Sequence, residues 1–337
     1  KLDSRDIPNG GSVGILIGEA KVPEATVSRA FVESKVADND AAIVILGRNS
    51  GESEDRLIEN DFDLSAAERS LLSYVCNAFH LAGKKVIVVL NIGGVIETAS
   101  WKTLPDAILL AWQPGQEGGD AIADVLTGKV NPSGKLPMTF PVQFIDHKSS
   151  FNFPLGNEPT GKSDFSFIGD DTRNTVNHVD FTKYEEDIWV GYRWFDTYGK
   201  EVSYPFGFGL SYTSFEYSKP TVTVAKDGTV TANVLVTNTG KVAGKEAVGL
   251  YVSAPAGGLE KPAKELKAFA KTRLLAPGES QVLSFQVTPY DLASFNEAAN
   301  RWETAAGTYT FCFGRNVSDI PVSFKAVIKQ ARTFSVN

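Results

Sequence analysis

Apolar and polar positions follow two different rhythms along this chain, and the change falls near residue 220. Before it, short apolar runs alternate with stretches whose apolar residues recur every three or four positions. Val13 to Ile17, Ala41 to Leu46, Val86 to Leu90 and Ala107 to Trp112 predict buried strands. Glu24 to Val36, Ser65 to Ala82 and Asp120 to Leu126 predict helices between and after them. The helix over 65–82 has both ends marked, by the capping box Ser65-Ala66-Ala67-Glu68 and by Gly83. Its apolar face is Leu72, Val75, Cys76 and Phe79. Repeated βαβ units predict a mostly parallel sheet covered on both faces.

After Pro220 the period becomes two. Thr229 to Asn238, Ala247 to Ser253, Glu265 to Thr272, Gln281 to Val287 and Gly307 to Phe313 read as strands between Pro- and Gly-bearing turns. About seven short strands over ~100 residues is the pattern of an immunoglobulin or fibronectin type III sandwich. Between the two textures, Ser149 to Thr182 is polar and turn-rich, and the run to Tyr217 is aromatic and Gly-rich. It holds Trp189, Tyr192, Trp194, Phe195, Tyr204, Phe206, Phe208 and Tyr212, and is expected to be an irregular connector packed on the first domain. The expected domains are therefore 1–148, with the connector 149–218, and 219–337.

Composition narrows the function classes. A length of 337 residues fits two domains better than one core. A net charge of −7 with interspersed signs and no Lys/Arg run argues against nucleic-acid and anionic-membrane partners. No window approaches the roughly 20 apolar residues of a membrane span, and Lys1 to Gly11 lacks the apolar core of a signal peptide. Cys76 and Cys312 fall in different domains, so no disulfide is expected. His80, His147 and His178 lack metal-site spacing, and neither a metal nor a cofactor is expected. Asn316-Val317-Ser318 is a glycosylation sequon that means something only in a eukaryotic secretory setting.

The richest chemistry follows the strand Ala41 to Leu46. In Gly47-Arg48-Asn49-Ser50-Gly51-Glu52-Ser53-Glu54-Asp55-Arg56 an acid-rich loop leaves the end of a buried strand, where α/β sheets keep their ligands. Six carboxylates, Glu52, Glu54, Asp55, Glu59, Asp61 and Asp63, fall within twelve residues. Such a cluster is ordinarily a solvated surface. Its position after a strand, its length and the small pair Ser50-Gly51 shift the weight toward a binding loop. Glu59 to Asp63 are expected to lead into the next helix and favour its positive end. Two glycine clusters, Pro114 to Asp120 and Gly128 to Leu136, invite comparison with phosphate loops. The second has the wrong spacing and Leu136 where Ser or Thr is required, so tight packing accounts better for both.

Longer motifs carry a resemblance. Ala107-Ile108-Leu109-Leu110-Ala111-Trp112-Gln113-Pro114-Gly115-Gln116-Glu117-Gly118-Gly119, Asn131 to Pro141, Val190 to Asp196 and Tyr204 to Tyr212 resemble the α/β-sandwich domain of family 3 glycoside hydrolases of the β-glucosidase type. Asn238-Thr239-Gly240, Lys261 to Leu266 and Leu275 to Glu279 are similar to that family's fibronectin type III-like domain. The resemblance covers nearly the whole chain in order. It implies an α/β sandwich followed by an all-β fibronectin type III-like sandwich.

It also implies roles. Glu52, in the Ser-Gly-Glu-x-x-Asp-Arg pattern, is the implied general acid/base, with Arg48, Asn49, Ser50, Gly51, Asp55 and Arg56 supporting the loop. Retention of configuration needs a second carboxylate about 5–5.5 Å away across the sugar, for which Glu54 and Asp55 are poor candidates, since residues of one short loop rarely reach opposite faces of a ring. In the family that nucleophile is an aspartate of a (β/α)₈ barrel, which this chain is not expected to contain. The expectation is a C-terminal part of a nicked, split or truncated enzyme, inactive without the barrel, in a periplasmic or secreted setting. The implied substrate is a β-glucoside or short β-glucan oligosaccharide; a homo-oligomer is compatible with the sequence. A β-xylosidase of the same family is an alternative, whereas the Glu52 motif speaks against a β-N-acetylglucosaminidase. The alternative from another class is a carbohydrate-binding or scaffold protein using Trp189 to Tyr212 as a sugar platform.

Overall fold

A computed structural model describes residues 26–48, 57–151 and 184–336. The expected strand Val13 to Ile17 lies outside the described residues. Contacts divide the chain into two units, Lys1–Ile122 with Pro141–Glu185, and Ala123–Phe140 with Glu186–Asn337.

In the first unit three strands, β1 (Ala41–Gly47), β2 (Lys85–Asn91) and β3 (Ala107–Leu110), form a parallel sheet in the order β1-β2-β3. Helix α1 (Arg29–Lys35) starts later than its periodicity suggests, because Ser28 is extended and its hydroxyl accepts the Phe31 N–H. Helix α2 (Ala66–Leu81) begins with the full capping box and is followed by Gly83 in the left-handed region, at φ 70°. Leu72, Val75, Cys76 and Phe79 of α2 bury against Val44, Leu46, Val86, Val88 and Leu90. Strand β2 is covered on both faces, since the successive residues Val88 and Val89 are both buried. Strand β1 departs from the expectation: Val44 and Leu46 are buried, but Ile43 and Ile45 on its other face are more than half exposed. β3 ends at Leu110, short of Trp112, whose φ of 54° is incompatible with a strand. Helix α3 (Gly118–Leu126) follows, and the buried Gly118 lies where a Cβ would strike the Pro114 ring.

The second unit holds a seven-stranded sandwich. Phe215–Val224, Val230–Asn238 and Ser280–Val287 form one antiparallel sheet. Val322–Ile328, Gly307–Gly314, Ala247–Ser253 and Glu265–Lys271 form the other. Strict alternation along Val230–Asn238 places Val230, Ala232, Val234 and Val236 in a core with Leu250, Phe285, Tyr309, Phe311 and Phe313. The first strand begins at Phe215, earlier than the texture change, and carries Pro220 where the register shifts on a sheet edge. A further small sheet, Ser294–Asn296, Arg301–Thr304 and Arg332–Ser335, pairs Phe295 with Trp302 and Trp302 with Phe334.

The aromatic segment is largely interior. Trp189 and Phe195 are buried, Tyr192 stacks on Phe206 at 4.6 Å, and both meet the Tyr251 ring edge-on. Tyr204 packs on Phe140 and Phe208. The Tyr204 to Tyr212 motif is bonded to the Asn131 to Pro141 motif. Leu136 N–H donates to Phe208 O, Gly207 N–H donates to Leu136 O, and Asn131 Oδ1 accepts from Ser211 Oγ and Tyr212 N–H.

Candidate functional site: the carboxyl edge of the parallel sheet

The strand ends bring Arg48, Asn91 and Leu110 to one edge of the parallel sheet, the edge at which an open α/β sheet binds ligands. Arg48, the residue after β1, points inward, and its side chain is 8% exposed. Its guanidinium donates to both oxygens of Glu68, Nη1 to Oε1 at 2.6 Å and Nη2 to Oε2 at 3.0 Å. Nε donates to the Asp61 carbonyl at 2.6 Å, Nη1 also donates to Gly47 O, and the Arg48 amide donates to Asn91 O at 3.1 Å. A planar fork of donors suits this arrangement in a way an ammonium cannot.

Glu68 is shared. While it holds Arg48, its Oε2 accepts the Ser65 N–H at 2.8 Å, completing the capping box of α2. The turn between the loop and α2 also departs from expectation. Ile58–Phe62 is an irregular turn in which Glu59 is extended and Asn60 has φ 61°, and Asp61 turns its carboxylate back to accept the Leu57 N–H at 3.0 Å. Glu68, rather than Glu59 to Asp63, is the acidic group in the first turn of α2.

A second wall comes from the segment after β2. Glu97 is buried, accepts from the Ser100 amide and hydroxyl, and offers its carbonyl to Trp101 Nε1 at 2.7 Å. Its own amide donates to Phe62 O, joining this wall to the turn that follows the acid-rich loop. After β3, the Gln113 side chain lies over Gly93, 3.0–3.3 Å from where a Cβ would stand, so a larger residue there would crowd it.

Of the residues assigned roles from sequence, Arg48 is placed at this edge; Asn49, Ser50, Gly51, Glu52, Asp55 and Arg56 lie outside the described residues. Glu68 and Asp61 acquire roles at the loop's base that sequence reading missed. The capping box pointed to Glu68 as a helix start, but nothing in a spacing of 20 residues marks it as the partner of Arg48. Among the described residues no group of His, Cys, Asp and Glu could hold a metal, and no helix is long and apolar enough to cross a membrane. Cys76 and Cys312 are free and buried, and burial, aided by Asp106, pushes the Cys76 thiol up to about 11, away from nucleophilic use.

Residues 19–212 match the family model of the glycosyl hydrolase family 3 C-terminal domain, and residues 246–317 that of the fibronectin type III-like domain. The chain belongs to glycosyl hydrolase family 3. Among its family 3 relatives, beta-glucosidase A of Butyrivibrio fibrisolvens is 38% identical over 350 residues, covering 90% of this chain and 39% of that protein. An exo-alpha-(1->6)-L-arabinopyranosidase of Bifidobacterium breve is 35% identical, covering 95% of this chain and 38% of its own length. The solved structure of beta-glucosidase 3B from Thermotoga neapolitana in complex with glucose is 42% identical, with a TM-score of 0.84 over 95% of this chain and 42% of that one. The chain thus spans about two fifths of the length of these relatives.

Proposed function

We propose that this chain supplies the acid/base part of a retaining exo-β-glycosidase acting on nonreducing-end β-D-glucosides. What supports the reading is the position of Arg48, held by Glu68 at the carboxyl edge of a parallel sheet and just ahead of Glu52 in sequence, in a family 3 chain. Glu52 protonates the glycosidic oxygen as the aglycone leaves. An aspartate on a (β/α)₈ barrel part forms the glycosyl-enzyme, and Glu52 then deprotonates the water that resolves it. Approach of the barrel aspartate keeps Glu52 protonated long enough to act as an acid. The relatives include an arabinopyranosidase beside β-glucosidases at similar identity, which supports placing sugar selection outside this part of the enzyme. A β-xylosidase would differ in the barrel residues that grip the sugar.

Replacing Glu52 by Gln, in the protein joined to its barrel part, tests the assignment. Turnover of poorly activated glucosides is expected to fall by about 10²–10⁴-fold. Cleavage of a dinitrophenyl glucoside, whose leaving group needs no proton, should fall far less. Equal loss on both substrates would remove Glu52 from the acid/base role.

A further inference from the structure

We infer that the outer sheet face bearing Phe269, Lys271 and Lys245 is a binding site for an acidic glycan, a sugar chain carrying uronate carboxylates. The site lies wholly within the second unit and stands apart from the reading of Glu52. Strands Ala247–Ser253 and Glu265–Lys271 pair antiparallel, with Gly249 opposite Phe269 and Ala247 opposite Lys271. Val248 and Leu250 belong to the sandwich core and Ala268 and Ala270 pack against it, so Phe269 and Lys271 stand together on the other face. Lys245 continues the alternation, since Glu246 is buried while Lys245 and Lys271 are both exposed. Diagonal neighbours across such a pair lie about 7–8 Å apart, close enough for two lysine side chains to meet one anion.

Stability gives little reason for this trio. Phe269 is 79% exposed; a single exposed ring is ordinary, but this one is flanked on its own face by cations without counter-charges. Among the described residues neither Lys245 nor Lys271 has a hydrogen-bond or ion-pair partner. Partial burial, reinforced by the Lys245 and Lys135 charges, holds the Lys271 ammonium below the usual lysine range. The adjoining carboxylate, Glu246, is buried and already engaged by the Tyr217 hydroxyl and by Lys135, and Arg273 further along is taken by Glu279 at 2.8 Å. Lysine on an edge strand discourages edge-to-edge pairing, which accounts for Lys271. It does not account for Lys245, which lies outside that strand and adds like-charge repulsion. A chain of net charge −7 thus keeps a local positive face, complementary to an anion. The ring narrows the class of anion: its flat face suits the CH-rich face of a pyranose, for which an inorganic ion or an acidic peptide side chain has no counterpart. Because two separate segments build the face, no Lys/Arg run reveals it in the sequence.

The test is titration calorimetry at about 0.1 M salt on the protein joined to the remainder of its length, with oligogalacturonate, cello-oligosaccharide and poly-L-glutamate as probes. Lys245→Gln and Lys271→Gln are each expected to weaken oligogalacturonate binding by about 5-fold, and Phe269→Ala by about 2–10-fold. Phe269→Tyr, which keeps the ring, should bind like the parent. Cello-oligosaccharide binding, aryl β-glucoside hydrolysis and Tm should be the same in all four variants. No binding of oligogalacturonate, or binding that none of the substitutions weakens, would overturn the site. Loss in the lysine variants with full binding in Phe269→Ala would reduce the face to a general polyanion patch and overturn the glycan assignment. Poly-L-glutamate binding as tight as that of oligogalacturonate, and equally weakened by Phe269→Ala, would overturn it in favour of an acidic protein partner.

Discussion

Gly209 shows how narrowly single residues are specified in this chain. A Cβ there would run into the Gly134 carbonyl, so the Asn131 to Pro141 and Tyr204 to Tyr212 motifs approach at a distance only glycine permits. Gly209→Ala is expected to cost about 1–3 kcal/mol, read as a lower denaturant midpoint at unchanged slope. Tyr217 and Glu246 make a second such point. Both are buried, the hydroxyl donates to Glu246 Oε1 at 2.7 Å, and burial together with that carboxylate pushes the phenol far above its usual range. Tyr217→Phe should destabilise by about 1–3 kcal/mol, because it strips a donor from a buried carboxylate that keeps Lys135 as a partner at 3.5 Å. Gly209 was visible in the sequence only as a member of a motif, Tyr217 only as the end of an aromatic run, and Glu246 not at all. Their reasons are contacts between residues 29 to 111 positions apart, which no local pattern encodes.

At the scale of elements, periodicity carried most of the information. Strands β1 and β2, the strand Ala247–Ser253 and helix α2 with its cap all follow from apolar spacing and end signals. The three-stranded sheet at Ser294–Asn296, Arg301–Thr304 and Arg332–Ser335 was not legible, because strands of three or four residues are too short to establish a period. Phe215–Val224 was obscured by Pro220, which reads as a break unless the strand is known to lie on an edge. The clamp of Arg48 by Glu68 was invisible because one carboxylate serves two partners, and only the local one, Ser65, has a sequence signature. The short helical turns Phe144–Asp146 and Lys148–Phe151 flank His147, whose pKa burial depresses against the opposing pull of Asp146. A histidine depressed in the folded state leaves the unfolded chain the better proton binder. Its contribution is therefore intact above about pH 6.5 and is lost as pH falls below that value. Unfolding free energy measured across that range should decline on acidification in the parent, and decline less in His147→Gln.

At the scale of the whole molecule, the chain covers 38–42% of the three relatives named above, and on the proposed reading the nucleophile and sugar selection belong to the remainder. The family was legible from sequence because long motifs are retained in order across the two domains. The most direct test is to assay the natural preparation for hydrolysis of an aryl β-glucoside while recording the intact mass of every polypeptide in the active fraction. The account predicts that glucose release follows a species in which this chain is joined to, or accompanied by, a barrel-sized portion. Absence of glucosidase activity from a fraction that holds both would contradict it.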